Sequence, residues 1–362
     1  MNKRIFIVAF FAFLFLAGSV YAAIGITELR TEQLKNPLGI DVRQPRLGWR
    51  IESDEQNVMQ TAYHILVASS ADLLAQGKGD IWDSGKIESD ASQWIAYQGK
   101  PLKRNARYYW KVKVYTNRGE ADWSAPAFWS MGLLNEADWQ GQWIGLDRTT
   151  PGDSETQWSR LAARYLRKEF ALSKEVKRAT VHIAGMGLYE LFINGQRIGD
   201  QVLAPAPTDY RKTILYNTYD VTPQLRKENA IGVTLGNGRF YTMRQNYKPY
   251  KIPTFGYPKL RLNLIVEYMD GSKETIATNT SWKLTTEGAI RSNNEYDGEE
   301  YDARKELGNW TQSGYDDKSW IAAQRVSIPS GTLRAQIMPG MKVMDTLKPV
   351  SIQKLGEDRK ST

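Results

Sequence analysis

The sequence predicts an all-β protein built as two β-sandwiches in series, the second of them a jelly roll. Three observations carry this reading. Apolar and polar residues alternate with a period of two in several short runs, Tyr108–Tyr115 and Lys259–Tyr268 among them, the pattern of strands with one face buried. Turn signals such as Lys78-Gly79-Asp80, Asn117-Arg118-Gly119, Asn194-Gly195 and Asp270-Gly271 separate these runs, without the strand–helix alternation that parallel sheets require. Helical candidates are confined to short pieces at 70–76 and 223–226. At 362 residues the chain is longer than one ordinary core needs, which argues for two domains.

In chain order, Lys3 and Arg4 precede the apolar run Ile5 to Ala17, and Val20-Tyr21-Ala22 is a small-x-small cleavage site. This is the composition of a signal peptide over 1–22, cut after Ala22. An uncleaved anchor is the alternative, because Ile5 to Ile26 is 22 residues without a charge. Either reading exports the chain to a bacterial periplasm, outer surface or medium, and cleavage leaves no membrane span.

The first sandwich is expected over 24–133. Its strands are Arg46–Ile51, Thr61–Ala68 and Tyr108–Tyr115, the last with Tyr108, Trp110, Val112 and Val114 on one face and Lys111 and Lys113 on the other. A linker over 134–163 holds Trp139 and Trp143 and then the polar stretch Asp147 to Glu155. The second sandwich spans 164–332. It contains the strand Ala179–Ile183 and the strand Leu188–Ile193, closed by the hairpin turn Asn194-Gly195. Then Lys259–Tyr268 sets Leu260, Leu262, Leu264 and Val266 against Arg261, Asn263 and Glu267, and Asp270-Gly271 turns it into Lys273–Ala277. Residues 333–362 read as the start of a following domain, with Lys342–Gln353 as an entry strand and a polar end that supplies no partner.

Composition excludes several chemistries. The absence of cysteine rules out disulfides, thiolate catalysis and cysteine-bound zinc. His64 and His182 are the only histidines, too few for a histidine metal cage. The formal net charge is +8, yet Lys3 and Arg4 fall in the leader and no Lys/Arg run tracks a phosphate backbone, so nucleic acid is not an expected partner. Twelve Trp and nineteen Tyr suit strands and flat sugar-binding surfaces.

Longer motifs carry a resemblance. The stretch GMGLYELFINGQRIGD from Gly185 to Asp200 is followed by Pro207 to Lys212, Tyr216 to Val221, Asn229 to Gly238 and Tyr296 to Arg304. Together these resemble the N-terminal β-sandwich of bacterial α-L-rhamnosidases, glycoside hydrolase family 78. Upstream, Leu34 to Ile40 and Pro45 to Trp49 resemble that family's leading fibronectin-type, Ig-like domain. The resemblance implies accessory domains of an enzyme that hydrolyses terminal α-L-rhamnosides. It further implies rhamnose-containing glycans as partners of the parent enzyme, and a helical catalytic barrel carrying the acidic residues as the partner these domains pack against. Some members bind rhamnose with calcium through this module. Many carry Pro-Gly-Trp-Thr-Asp-Tyr where this chain has Pro205-Ala206-Pro207-Thr208-Asp209-Tyr210, which removes a sugar-stacking Trp. A free carbohydrate-binding module and a structural or adhesion module are the alternatives.

Two residue sets are candidates. Asp209, Tyr210, Asn237, Arg239 and Tyr241 offer carboxylate, amide, guanidinium and ring faces of the kind that bracket sugar hydroxyls; turn chemistry and edge packing explain the same residues. The acidic cluster Glu295, Asp297, Glu299, Glu300 and Asp302 has three readings. It is a solvated loop with an Arg304 pair, a hard-cation site for calcium built from Glu295, Asp297, Glu299 and Asp302, or a general acid and base. Tyr247 to Tyr250 would line the same groove or be a Pro-stiffened loop. His182, on a strand, is expected to be a packed side chain and not a ligand. No catalytic residue is assigned.

Overall fold

The computed structural model describes residues 24–151, 153, 161–241, 255–295 and 298–351. Residues 1–22, read from sequence as a signal peptide, lie outside them, as do Tyr247 to Tyr250 and Asp297.

The described chain is all-β, as expected. The strands that the alternation marks form where the pattern puts them. Arg107–Thr116 buries Tyr108, Trp110, Val112 and Val114 and leaves the intervening residues half-covered. It pairs antiparallel with Gln60–Ala68 and Ala127–Ser130, in a five-stranded sheet with Trp82–Glu88 and Gly119–Glu120. A three-stranded sheet of Gly25–Thr31, Arg46–Glu52 and Ile95–Ala96 faces it. Trp49, Trp110 and Trp129 fill the space between the sheets, each with no exposed surface. This is the Ig-like sandwich.

The second sandwich stacks a six-stranded sheet on a seven-stranded one. Leu188–Ile193, Glu228–Gly236 and Arg164–Ala171 are the centre of the first; Lys259–Tyr268, Val176–Met186 and Thr213–Asp220 are the centre of the second. Asn194 and Gly195 both take positive φ (51° and 84°), which the two-residue hairpin between Leu188–Ile193 and Gln196–Arg197 requires. Val181, Ile183, Leu191, Val233, Leu262 and Leu264 form the core. The short helical candidates appear as Ala71–Ala75, capped by the Ser70 hydroxyl, and a 3-10 turn at Thr222–Gln224.

Three segments differ from the sequence reading. In Lys259–Tyr268 both faces are buried near the start, so Arg261 and Asn263 are not on a wet face. The cover is the segment read as linker. Asn263 Oδ1 accepts from the Gly141 backbone N–H at 2.8 Å, and the Arg261 guanidinium reaches Glu136 and donates to the Gly141 carbonyl at 2.7 Å. That segment is packed because its apolar residues, Trp139, Trp143, Ile144 and Leu146, are all buried, and Ile144–Gly145 joins the seven-stranded sheet. Finally, Thr332–Ala335 pairs in parallel with Thr213–Asp220, so the same sheet extends past 332.

Beyond that strand the chain leaves the body of the sandwich. The Met341 carbonyl accepts from Val202 N–H at 2.9 Å, and Lys342 Nζ pairs with Asp200 at 2.5 Å. Val343, Met344, Leu347 and Val350 are exposed. A segment with so few buried contacts adds little to stability. Removing residues 343–362 is therefore expected to leave the melting temperature nearly unchanged and to reduce self-association. A clear drop in melting temperature would show that the segment is docked.

The two sandwiches meet through polar groups that are buried or half-buried. His182, fully buried, shares a hydrogen between Nδ1 and Thr218 Oγ1 at 2.9 Å and between Nε2 and Asn105 Oδ1 at 3.2 Å. Arg178 donates to the Asn105 carbonyl at 2.6 Å, Arg107 pairs with Asp220 at 2.8 Å, and Tyr216 donates to the Leu133 carbonyl at 3.3 Å. Gly39 sits at φ 71° against Thr218, where a Cβ would fall 1.9 Å from the hydroxyl oxygen. Only glycine satisfies both the left-handed backbone and the close approach.

Candidate functional site

The loops carrying the predicted sugar-binding residues do converge. Asn237 opens a tight turn in which its carbonyl accepts from Phe240 and Tyr241 N–H at 3.1 and 3.2 Å. That turn lays Phe240 against Tyr210, ring centroids 5.1 Å apart and perpendicular, and Phe255 closes the group at 5.2 Å from Tyr210. Arg239 reaches Glu295 at 3.4 Å, and Glu295 N–H bonds the Gly238 carbonyl. The 209–212, 237–241 and 295 loops thus form one cluster.

Within the cluster most side chains are committed to the fold. Tyr210 is buried, and burial pushes its phenol up to about 12. Tyr241 is buried and stacks on Tyr257 at 5.4 Å. Asn237 is fully buried; its Nδ2 donates to the Leu161 carbonyl at 2.8 Å and its backbone N–H to Asn293 Oδ1 at 2.6 Å. Asn237 Oδ1 and Asn293 Nδ2 find no partner among the described residues. Asp209 and Arg239 do present their charges to water. Asp209 is held below the usual carboxylate range by its hydrogen bond from Arg211. Phe240, Phe255 and Arg211 belong to the cluster and were not singled out from sequence. Phe240 could have been, as the apolar residue between Arg239 and Tyr241.

The acidic residues divide differently. Ile290–Asn294 and Gly298–Tyr301 form a hairpin that pairs Asn293 with Glu299 and Ser292 with Glu300, both glutamates on the exposed strand. Asp302 caps a 3-10 turn and takes a two-pronged bond from Arg304, Nε at 2.8 Å and Nη2 at 2.9 Å. That pairing holds its carboxyl down at about 2. A general acid needs the opposite shift, so Asp302 suits a structural pair and not proton donation. Glu295 is engaged by Arg239. No three acidic or imidazole side chains gather into a cation cage among the described residues. Of the four residues read as a calcium set, Glu295, Glu299 and Asp302 are described and Asp297 is not.

The comparisons with known proteins agree with this architecture. The family model of the α-L-rhamnosidase N-terminal domain matches residues 174–345. That of the Rha78A-like N-terminal immunoglobulin domain matches residues 26–135. An α-L-rhamnosidase of Formosa agariphila is 40% identical over 339 residues, 88% of this chain and 35% of that protein. The solved α-L-rhamnosidase from Dictyoglumus thermophilum superposes with a TM-score of 0.80 at 39% identity, covering 90% of this chain and 37% of that one. The Streptomyces avermitilis α-L-rhamnosidase, solved with L-rhamnose, gives 0.78 at 25% identity over 89% and 47%. The chain thus spans little more than a third of the length of the Formosa relative. No helix among the described residues is long and apolar enough to cross a membrane.

Proposed function

Because the chain carries the two N-terminal domains of the α-L-rhamnosidase family, we propose that it is the exported accessory portion of an enzyme that hydrolyses terminal α-L-rhamnosides. The superposition on a solved α-L-rhamnosidase over nine-tenths of this chain is the observation that carries the reading. The composition of residues 1–22 supports export. In this role the sandwiches form a rigid body: their interface is closed by buried hydrogen bonds at His182, Asn105 and Thr218. They pack against the catalytic portion and contribute to sugar contact; the catalytic acid and base come from elsewhere in the enzyme.

The site chemistry supports that division of labour. Of the candidate acids, Asp302 is ionised and held by Arg304, and Glu295 is engaged by Arg239. Function follows from such groups and not from the fold alone. The 362-residue chain by itself is expected to show no turnover of an aryl α-L-rhamnoside, assayed beside an active full-length relative. Turnover that vanishes in Glu299→Gln or Asp302→Asn would place the chemistry inside these domains and end the accessory reading.

A further inference from the structure

A cleft between the two sandwiches, lined by none of the Tyr210-cluster residues, is basic. Its volume is about 1320 Å³, above the range of about 300–1,000 Å³ typical of small-molecule pockets and enough for several linked rings. From the first sandwich come Lys100, Lys103, Arg104 and Arg107; from the second, Lys177, Arg178 and Lys273. Three acids, Asp72, Asp220 and Glu267, line it too, and Arg104 is paired with Asp138 beside it, which leaves an excess of three positive charges.

Ion pairs gather several of the cations. Glu267 holds three of them together: Lys177 at 3.2 Å, Lys273 at 3.4 Å and Arg178 at 3.6 Å. One carboxylate cannot neutralise three charges, so this corner stays positive. On the opposite wall Lys100 bonds a backbone carbonyl, that of Asp80, and Lys103 is exposed. A concave wall of low dielectric concentrates the field of such charges. The floor is mixed: Ile81, Pro101, Ala106 and Pro223 offer apolar contact, and Tyr109 offers a half-buried ring.

We propose that this cleft binds an acidic oligosaccharide, its uronate carboxylates or sulfates set between the Lys103 wall and the Lys177/Lys273 corner. The glycan part rests on the rhamnosidase reading; the anionic part rests on the charge of the cleft. Nucleic acid is disfavoured, because one half-buried tyrosine is a poor platform for successive bases, which are held by several stacking rings.

Calorimetric titration of the whole chain tests this with four probes: a tetragalacturonate, a chondroitin sulfate tetrasaccharide, a neutral maltotetraose and a tetrathymidylate. At least one acidic tetrasaccharide should bind, and which one separates carboxylate from sulfate recognition. Its affinity should fall about tenfold or more from roughly 50 to 300 mM salt, as screening requires. Maltotetraose should not bind. The pair Lys103→Glu and Lys273→Glu, both at exposed positions, should weaken binding at least about tenfold while the chain keeps a cooperative melting transition. The milder pair Lys103→Gln and Lys273→Gln should fall between. Silence from both acidic sugars, indifference to the substitutions, or equal binding of tetrathymidylate would overturn the proposal. The rhamnoside assay is a separate readout. A chain that behaves as an accessory domain but ignores acidic sugars loses only this cleft. One that binds them but hydrolyses rhamnosides by itself loses only the accessory role.

Discussion

Asp153→Ala is expected to be the most damaging single substitution in the second sandwich, costing about 3–5 kcal/mol. Both Asp153 and Arg164 are fully buried. The carboxylate takes a two-pronged bond from Arg164, Nη1 at 2.7 Å and Nη2 at 3.2 Å. It also accepts from the backbone N–H groups of Ala162 at 3.0 Å and Thr150 at 2.7 Å. Among the described residues, alanine would leave the buried guanidinium facing only the Ala162 and Arg148 carbonyls, and the Ala162 and Thr150 N–H groups without this acceptor. The loss should lower the melting temperature by roughly 6–20 °C for a domain of this size. Asp153→Asn keeps one of the two acceptor oxygens while removing the charge, and it should fall between. Thermal and urea unfolding of the three proteins decide the matter. A loss under about 1 kcal/mol for the alanine variant would mean that the Arg164 site relaxes or admits water.

The second large effect concerns acid. Burial, with the Arg178 charge nearby, holds the His182 imidazole well down, to about 3, from its ordinary 6.5. The unfolded chain therefore binds this proton below about pH 6.5 while the folded chain does not bind it until about pH 3. Between those limits the unfolded state holds more protons, so stability rises with pH. The contribution is complete above about pH 6.5 and is lost as pH falls, at up to about 1.4 kcal/mol per unit from this group. Most of the window lies above the ordinary range of carboxylates, so the histidine is separable from them. Unfolding free energies measured from pH 7 to 4.5 should decline along this slope. In His182→Gln, which keeps a donor and an acceptor between Thr218 and Asn105, the slope should flatten at the expense of some stability at pH 7. An identical slope in both proteins would show that His182 is not the group responsible.

Much of the architecture was legible before any coordinates. The alternation in Tyr108–Tyr115 identified the buried face residue by residue, because a strand has only two faces and tryptophan and valine cannot both sit in water. Asn194-Gly195 identified its hairpin because few other pairs tolerate two consecutive positive φ angles. The candidate sugar loops were legible as a convergence, and Tyr210, Arg239 and Glu295 do meet around one turn. What those residues do there was not legible. A tyrosine that stacks on a sugar and one that closes a core against Phe240 and Phe255 have the same composition. The difference lies in which rings cover it, and Phe255 is 45 residues away from Tyr210 in the chain.

By itself, then, the sequence determined the local terms: which residues form strands, which face of each is apolar, where the chain turns, and which family its ordered motifs resemble. These depend on neighbours within a few positions. The tertiary structure alone decided what covers each face. Arg261 and Asn263 looked like a wet face and are buried, because Trp139, Trp143 and Leu146 draw the supposed linker down onto them. Asp153, read as part of a polar stretch, became half of a buried ion pair with Arg164. The basic cleft left no run in the sequence, since Lys100–Arg107, Lys177–Arg178 and Lys273 come from three separate stretches and both domains. The physical reason is common to all three. Backbone periodicity is set by local sterics, whereas burial and electrostatic potential are sums over every group within a few ångströms, most of them distant along the chain.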